Sequence, residues 1–309
     1  MKPTEESFVR VGEIELCWQR FGDEEAPALL LIMGLGSQMV LWPEGFCEAL
    51  ADRGFGVIRF DNRDAGRSTV IADGGRPSIR AALAGDGAAA PYTLSDMAAD
   101  AIGLLDGLEI EHAHVAGASL GGMVAQTLAI EHPQRVLSMA SLMSTTGDPD
   151  VGKPTEAGME ALTAAPPTDR EGYVEAIVRA RGLIASPGFP HDEGYARELA
   201  ARTFERGYHP DGTLRQVVAV AASGDRTPRL RELTVPTVVI HGEDDALIGV
   251  SGGCATAGAI ADARLVLVPG MGHDLPPDVW DRVADAIAEN ATRAGFPGTP
   301  AEPGDEEDE

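Results

Sequence analysis

Two short segments near the N-terminus, Ser7-Phe8-Val9-Arg10-Val11 and Ile14-Glu15-Leu16-Cys17-Trp18-Gln19-Arg20, alternate apolar and polar residues around Gly12-Glu13. A period of two turns one face inward and the other into water, so the pair predicts a β-hairpin with one solvated face. The pattern then changes. Ala28-Leu29-Leu30-Leu31-Ile32-Met33 is continuously apolar, as expected of a strand covered on both faces, and it runs into the loop Gly34-Leu35-Gly36-Ser37. Helical spacing follows in Phe46-Cys47-Glu48-Ala49-Leu50, then a second apolar strand, Gly56-Val57-Ile58-Arg59-Phe60, which ends at Asp61 to Ser68. The stretch from Ala72 to Pro91 is rich in Gly and Ala without a period and predicts a flexible loop. Thr93-Leu94-Ser95-Asp96 has the form of an N-terminal helix cap, and Met97, Ile102, Leu104, Leu105 and Leu108 give the following helix an apolar face.

Strand and helix keep alternating through His112 to Ile130, where a short apolar run, a turn and a helix succeed one another, and through the strand Val136 to Met143. From Gly147 to about Glu232 the alternation stops. Proline-punctuated, polar, mostly helical sequence takes its place, clearest in Tyr173 to Val178 and Tyr195 to Ala200; an insertion of this length between core strands reads as a cap. Alternation resumes with the strand Val235 to Ile240, a helix around Ala255 to Ile260, the strand Arg264 to Val268 and a last helix from Pro277 to Ala291. The predicted architecture is α/β, a mostly parallel central sheet with helices on both faces. Its core comprises residues 1–146 and 233–295, its mainly helical cap residues 147–232, and residues 296–309 form a tail of acidic, disordered composition.

Composition changes this picture little. Apolar residues at 44% and charged residues at 24% of 309 are ordinary globular values, enough for a sizeable core. Cys17, Cys47 and Cys254 are odd in number and widely spaced, which suits idle thiols of a reducing cytosol. Met1 to Glu6 lacks the basic region and apolar run of a signal peptide, and no window approaches a membrane span, so a soluble cytoplasmic monomer or homodimer is expected. The net charge of −25, of which the tail supplies six acids, argues against nucleic acid and anionic membranes as partners.

The chemistry centres on Gly117-Ala118-Ser119-Leu120-Gly121, a Gly-x-Ser-x-Gly turn between strand and helix. Such a turn exposes a serine hydroxyl as a nucleophile, and the flanking glycines let strand and helix approach closely. In a parallel sheet the loops at the strands' carboxyl ends share one edge. Those loops are Ser119, His241-Gly242-Glu243-Asp244-Asp245 and Pro269-Gly270-Met271-Gly272-His273, in the order serine, acid, histidine. His273 is placed to take the serine proton and return it to the leaving group. An acid must fix its tautomer, and Glu243, Asp244 and Asp245 all remain in reach. Backbone N–H groups must meet the charge that develops on the substrate oxygen. One is expected from Leu120 and one from the loop after Met33, at Leu35. His112, His114, His132 and His241 lack ligand-like spacing, so no metal and no cofactor is expected. Met33, Met39, Trp42, Met123, Met143 and Met271 cluster near the site loops, and of these Met33, Trp42 and Met143 are the candidate substrate contacts.

Together, Met33-Gly34-Leu35-Gly36, Asp61-x-Arg63-Asp64-x-Gly66-Arg67-Ser68, Gly117 to Gly122, His241-Gly242-x-x-Asp245 and Pro269 to His273 resemble the α/β-hydrolase superfamily over nearly the whole chain outside the tail. Within it the sequence is most similar to the aclacinomycin methylesterase-like hydrolases, which cleave a carbomethoxy ester on an anthracycline ring system. The resemblance implies the α/β-hydrolase fold, Ser119 as nucleophile, Asp245 as the acid, His273 as the base, and Leu35 with Leu120 as oxyanion donors. The expected function is that of a cofactor-free serine carboxylesterase acting on a small-molecule ester, with a methyl ester of polyketide type as the finer reading. A carbon–carbon bond hydrolase or cofactor-free perhydrolase can share the same triad, and a ligand-binding signalling homologue can keep the fold without using it.

Overall fold

Gly12 and Glu13 close a tight turn between β1 (Ser7–Val11) and β2 (Ile14–Phe21), with Val11 opposite Ile14 and Gly12 at φ +58. A computed structural model, which describes residues 2–72 and 90–295, continues this hairpin into an eight-stranded sheet of order β1-β2-β4-β3-β5-β6-β7-β8. The remaining strands are β3 (Ala28–Ile32), β4 (Gly56–Phe60), β5 (Ala113–Ala118), β6 (Val136–Leu142), β7 (Thr237–Gly242) and β8 (Arg264–Val268). Pairing is antiparallel at β1–β2 and β2–β4 and parallel from β4 to β8.

The continuous apolar runs have their reason in helices on both faces. On one face Leu30, Ile32, Val115 and Met139 pack against α2 (Leu94–Gly107) and α3 (Leu120–Glu131). On the other, Leu29, Leu31, Ala116 and Leu142 meet α1 (Glu44–Ala51) and α10 (Trp280–Thr292). Successive residues of one strand thus feed opposite layers, each buried leucine contributing about 1.5–3 kcal/mol. Thr93 caps α2 as expected, accepting from Asp96 N–H while the Asp96 carboxylate accepts from Thr93 N–H.

Between β6 and β7 lie α4 (Glu156–Thr163), α5 (Arg170–Ile184), α6 (Glu193–Gly207), α7 (Pro210–Ser223) and α8 (Thr227–Leu230). After β7 comes α9 (Ser251–Ala259). Among the expected boundaries that shift are the end of β7 and the start of α10. Strand β7 runs through His241 and Gly242, because both still pair with Leu267 and Val268 of β8. The last helix is preceded by a 3-10 turn at Pro277–Val279, since Pro276-Pro277 delays the regular helix to Trp280. The loop expected at 72–91, apart from its ends, and the tail at 296–309 lie outside the described residues.

Candidate active site

Strand β5 delivers Ser119 to the carboxyl edge of the sheet with φ 56 and ψ −121, and α3 starts at the next residue. Glycine is required on either side. A Cβ on Gly117 would lie 2.1 Å from the Gly121 carbonyl oxygen, and one on Gly121 would lie 2.0 Å from that of Ile32. Strand β6 braces the turn: Ser119 N–H donates to Leu142 C=O at 2.9 Å, and Ser144 Oγ donates to Ser119 C=O at 2.8 Å. Nothing in the sequence pattern distinguishes Ser144 from an ordinary loop serine.

The loop after β3 lies against this turn, so closely that a Cβ on Gly34 would stand 3.1 Å from Ser119 Cβ. Ser37 N–H closes it onto Gly34 C=O at 3.1 Å, and Asn62 Nδ2 holds Met33 C=O at 2.9 Å. Among the described residues the Leu35 N–H has no hydrogen-bond acceptor. Leu120, first residue of α3, has no intrahelical acceptor for its own N–H and adds the positive end of the helix dipole.

Of the three acids after β7, Asp245 is the one hydrogen-bonded to His273, with 2.7 Å between Oδ2 and Nδ1. Its Oδ1 accepts from Leu247 N–H at 2.9 Å and Ile248 N–H at 2.8 Å, and His241 Nε2 lies 3.4 Å from Oδ2. Burial alone would raise the Asp245 pKa. Hydrogen bonds from His241 and His273, the charge of His273 and the Ile248 N–H overcome it and hold the carboxyl well below the usual carboxylate range. Asp244 serves differently, accepting from Gly270 N–H at 3.0 Å, and Glu243 is exposed. Ring contact through Nδ1 leaves His273 Nε2 for other work. His273 N–H donates to Ile184 C=O at the end of α5 over 2.7 Å, and Gly272 N–H donates to Ser186 Oγ at 2.9 Å.

The apolar candidates fall in one buried layer. Met33 and Met143 are 9% and 5% exposed, Met143 at φ 42 where β6 ends. Trp42 is packed in the core, 1% exposed, its ring stacked on Phe46 and its carbonyl accepting from Arg59 Nη1 at 2.6 Å. His114 is buried against Ser138 Oγ at 2.8 Å, and burial drops its pKa to about 4. His112 binds the Gln134 carbonyl through Nδ1, and His241 the Ile248 carbonyl through Nε2.

Residues 27–278 match the family of the alpha/beta hydrolase fold. The chain belongs to the α/β-hydrolase family. It is a hydrolase, similar to the rhodomycin D methylesterase DnrP of Streptomyces peucetius, with 30% identity over 91% of this chain and 96% of the relative. The rhodomycin D methylesterase DauP of Streptomyces sp. (strain C5) is likewise 30% identical, over 93% of this chain and 98% of its own. Among solved structures, a hydrolase from Pseudomonas aeruginosa PA01 superposes with a TM-score of 0.69 at 26% identity, covering 92% of this chain and 98% of that one. No helix among the described residues is long and apolar enough to cross a membrane.

Proposed function

We propose that the protein is a serine carboxylic-ester hydrolase working through Ser119, His273 and Asp245. The observation that carries this reading is the Asp245–His273 hydrogen bond of 2.7 Å at the same sheet edge as a serine held at φ 56. His273 takes the Ser119 proton as Oγ attacks the ester carbon, and Asp245, kept ionised, stabilises the imidazolium. The tetrahedral oxygen meets the N–H groups of Leu35 and Leu120. Collapse expels the alcohol, protonated by His273, and leaves an acyl-enzyme that water, activated by the same imidazole, hydrolyses.

The helices of residues 147–232 act in this reading as a cap over a core of residues 1–146 and 233–295, and Met33, Trp42 and Met143 belong to the apolar layer beside the acyl or alcohol group. The likeness to two rhodomycin D methylesterases supports a methyl ester on a polyketide-type ring as substrate. Replacing Ser119 with alanine should cut turnover of a short p-nitrophenyl ester by about 10⁴-fold or more while the circular dichroism spectrum is unchanged; persistent turnover would remove Ser119 from the mechanism. A panel of methyl esters, vinylogous diketones and peroxide-dependent halogenation separates ester hydrolysis from the carbon–carbon and perhydrolase chemistries.

A further inference from the structure

The turn Gly34-Leu35-Gly36-Ser37 carries Gly36 at φ +61; inside it Ser37 N–H donates to Gly34 C=O and the rotatable Ser37 hydroxyl to Leu35 C=O at 3.2 Å, so the Gly36 N–H of the central Leu35–Gly36 peptide has no partner within the turn. Flipping that peptide interconverts turn types, and with glycine at both positions flanking Leu35 no side chain opposes it. The Leu35 N–H lies in the preceding peptide, which shares the Leu35 Cα with this one, so a turn free to change type no longer holds that N–H in one orientation.

The peptide is fastened from outside. Gln216, wholly buried on α7, accepts from Gly36 N–H through Oε1 at 2.7 Å and donates from Nε2 to Arg63 C=O at 2.8 Å. Both ends of the amide are fixed by partners that can only donate or only accept, so its orientation is determined. Neighbouring residues of α7 press on the same place. A Cβ on Gly36 would lie 2.5 Å from Thr213 Oγ1, and Arg215 grips the Asp64 carboxylate through Nε at 2.8 Å and Nη2 at 2.6 Å.

We propose that Gln216 is a positioning residue: from the segment between β6 and β7 it locks the oxyanion turn, so that seating of this segment completes the site. The proposal rests on the esterase reading, in which Leu35 N–H meets the tetrahedral oxygen. A donor held for the transition state acts on kcat more than on KM, and removing one outright costs about 10²- to 10³-fold. Loosening it should cost about tenfold or more.

The test is p-nitrophenyl acetate hydrolysis by the wild type, Gln216→Leu and Gln216→Glu. Ser119 is titrated in each with diethyl p-nitrophenyl phosphate, so that rates refer to reactive sites and misfolded protein drops out. Gln216→Leu should lose about tenfold or more in kcat per titrated site, with KM moving less than about threefold. A neutral glutamic acid reproduces both hydrogen bonds, its carbonyl accepting from Gly36 and its hydroxyl donating to Arg63. The ratio of kcat for Gln216→Glu over Gln216→Leu should therefore exceed one and rise as pH falls, any pH dependence common to both variants cancelling in the ratio. Wild-type kcat per titrated site in Gln216→Leu, or equal loss in both variants at every pH, overturns the positioning role while labelled Ser119 leaves the esterase reading intact. An unlabelled wild type, with Ser119→Ala turning over at the wild-type rate, overturns both.

Discussion

Ser119 sits where a residue with a Cβ pays on the order of 1–3 kcal/mol in backbone strain, and its neighbours show what over-determines that conformation. Gly117 and Gly121 permit the approach of strand and helix, and Ser144 and Leu142 tie both ends of the Ser119 peptide. The acid beside the histidine is equally constrained, its carboxylate hydrogen-bonded to Leu247 N–H, Ile248 N–H and His273 Nδ1 with His241 Nε2 3.4 Å away. Asp245→Asn should keep the shape but favour the wrong imidazole tautomer, lowering kcat by roughly 10⁴-fold. Asp244→Asn, which only loosens the Gly270 N–H, should stay within about tenfold of wild type, so the reverse order of the two in steady-state kinetics would reassign the acid. His114 gives a pH signature to stability. Its pKa falls from 6.5 in the unfolded chain to about 4 in the fold, so between those values the unfolded state binds the proton that the fold excludes. Stability from this residue is complete above pH 6.5 and declines by about 3 kcal/mol as pH drops through the window. Urea midpoints of His114→Gln should therefore vary less between pH 6.5 and 4 than those of the wild type.

At the scale of elements, what the sequence disclosed is what periodicity and glycine encode. The alternation of Ser7 to Val11 and the unbroken runs at Leu29 to Ile32 and Val57 to Phe60 report whether one or both faces are covered, and those strands stand where the pattern put them. Thr93 and Asp96 announce a helix start by local chemistry, and Thr93→Ala should cost about 1 kcal/mol in chemical denaturation. The ends of β7 and α10 were less legible, because strand termination depends on a partner strand distant in sequence and the proline pair at 276–277 favours a 3-10 turn that apolar spacing does not reveal. In the site, Ser119, Asp245 and His273 carried motif signals. Gln216, Ser144 and Ser186 carried none, since each acts through hydrogen bonds to backbone that only the assembled chain brings near.

For the whole molecule, a chain of net charge −25 places several of its few cations inside, across the join between the sheet and the β6–β7 segment. Arg206 of α6 reaches Glu6 from before β1, Asp61 from after β4, and the side chain of Gln38. Asp61 is completely buried and also accepts from Met39 N–H at 2.7 Å and Arg67 N–H at 2.9 Å, so the guanidinium is the cation that neutralises it. Taking two charges out of water costs several kcal/mol per ion, which makes the pair weak evidence of net stabilisation but makes loss of one partner severe. Arg206→Met should thus destabilise the protein by about 3–5 kcal/mol in urea unfolding, and Asp61→Asn in the same chain should recover part of that loss by removing the stranded charge. An exposed pair such as Arg170–Glu205, on α5 and α6, should be worth less than about 1 kcal/mol and fade with added salt. Equal cost for the buried and the exposed arginine, or no recovery in the double variant, would mean that the β6–β7 segment is held by its apolar contacts and that Arg206 is a bystander to them.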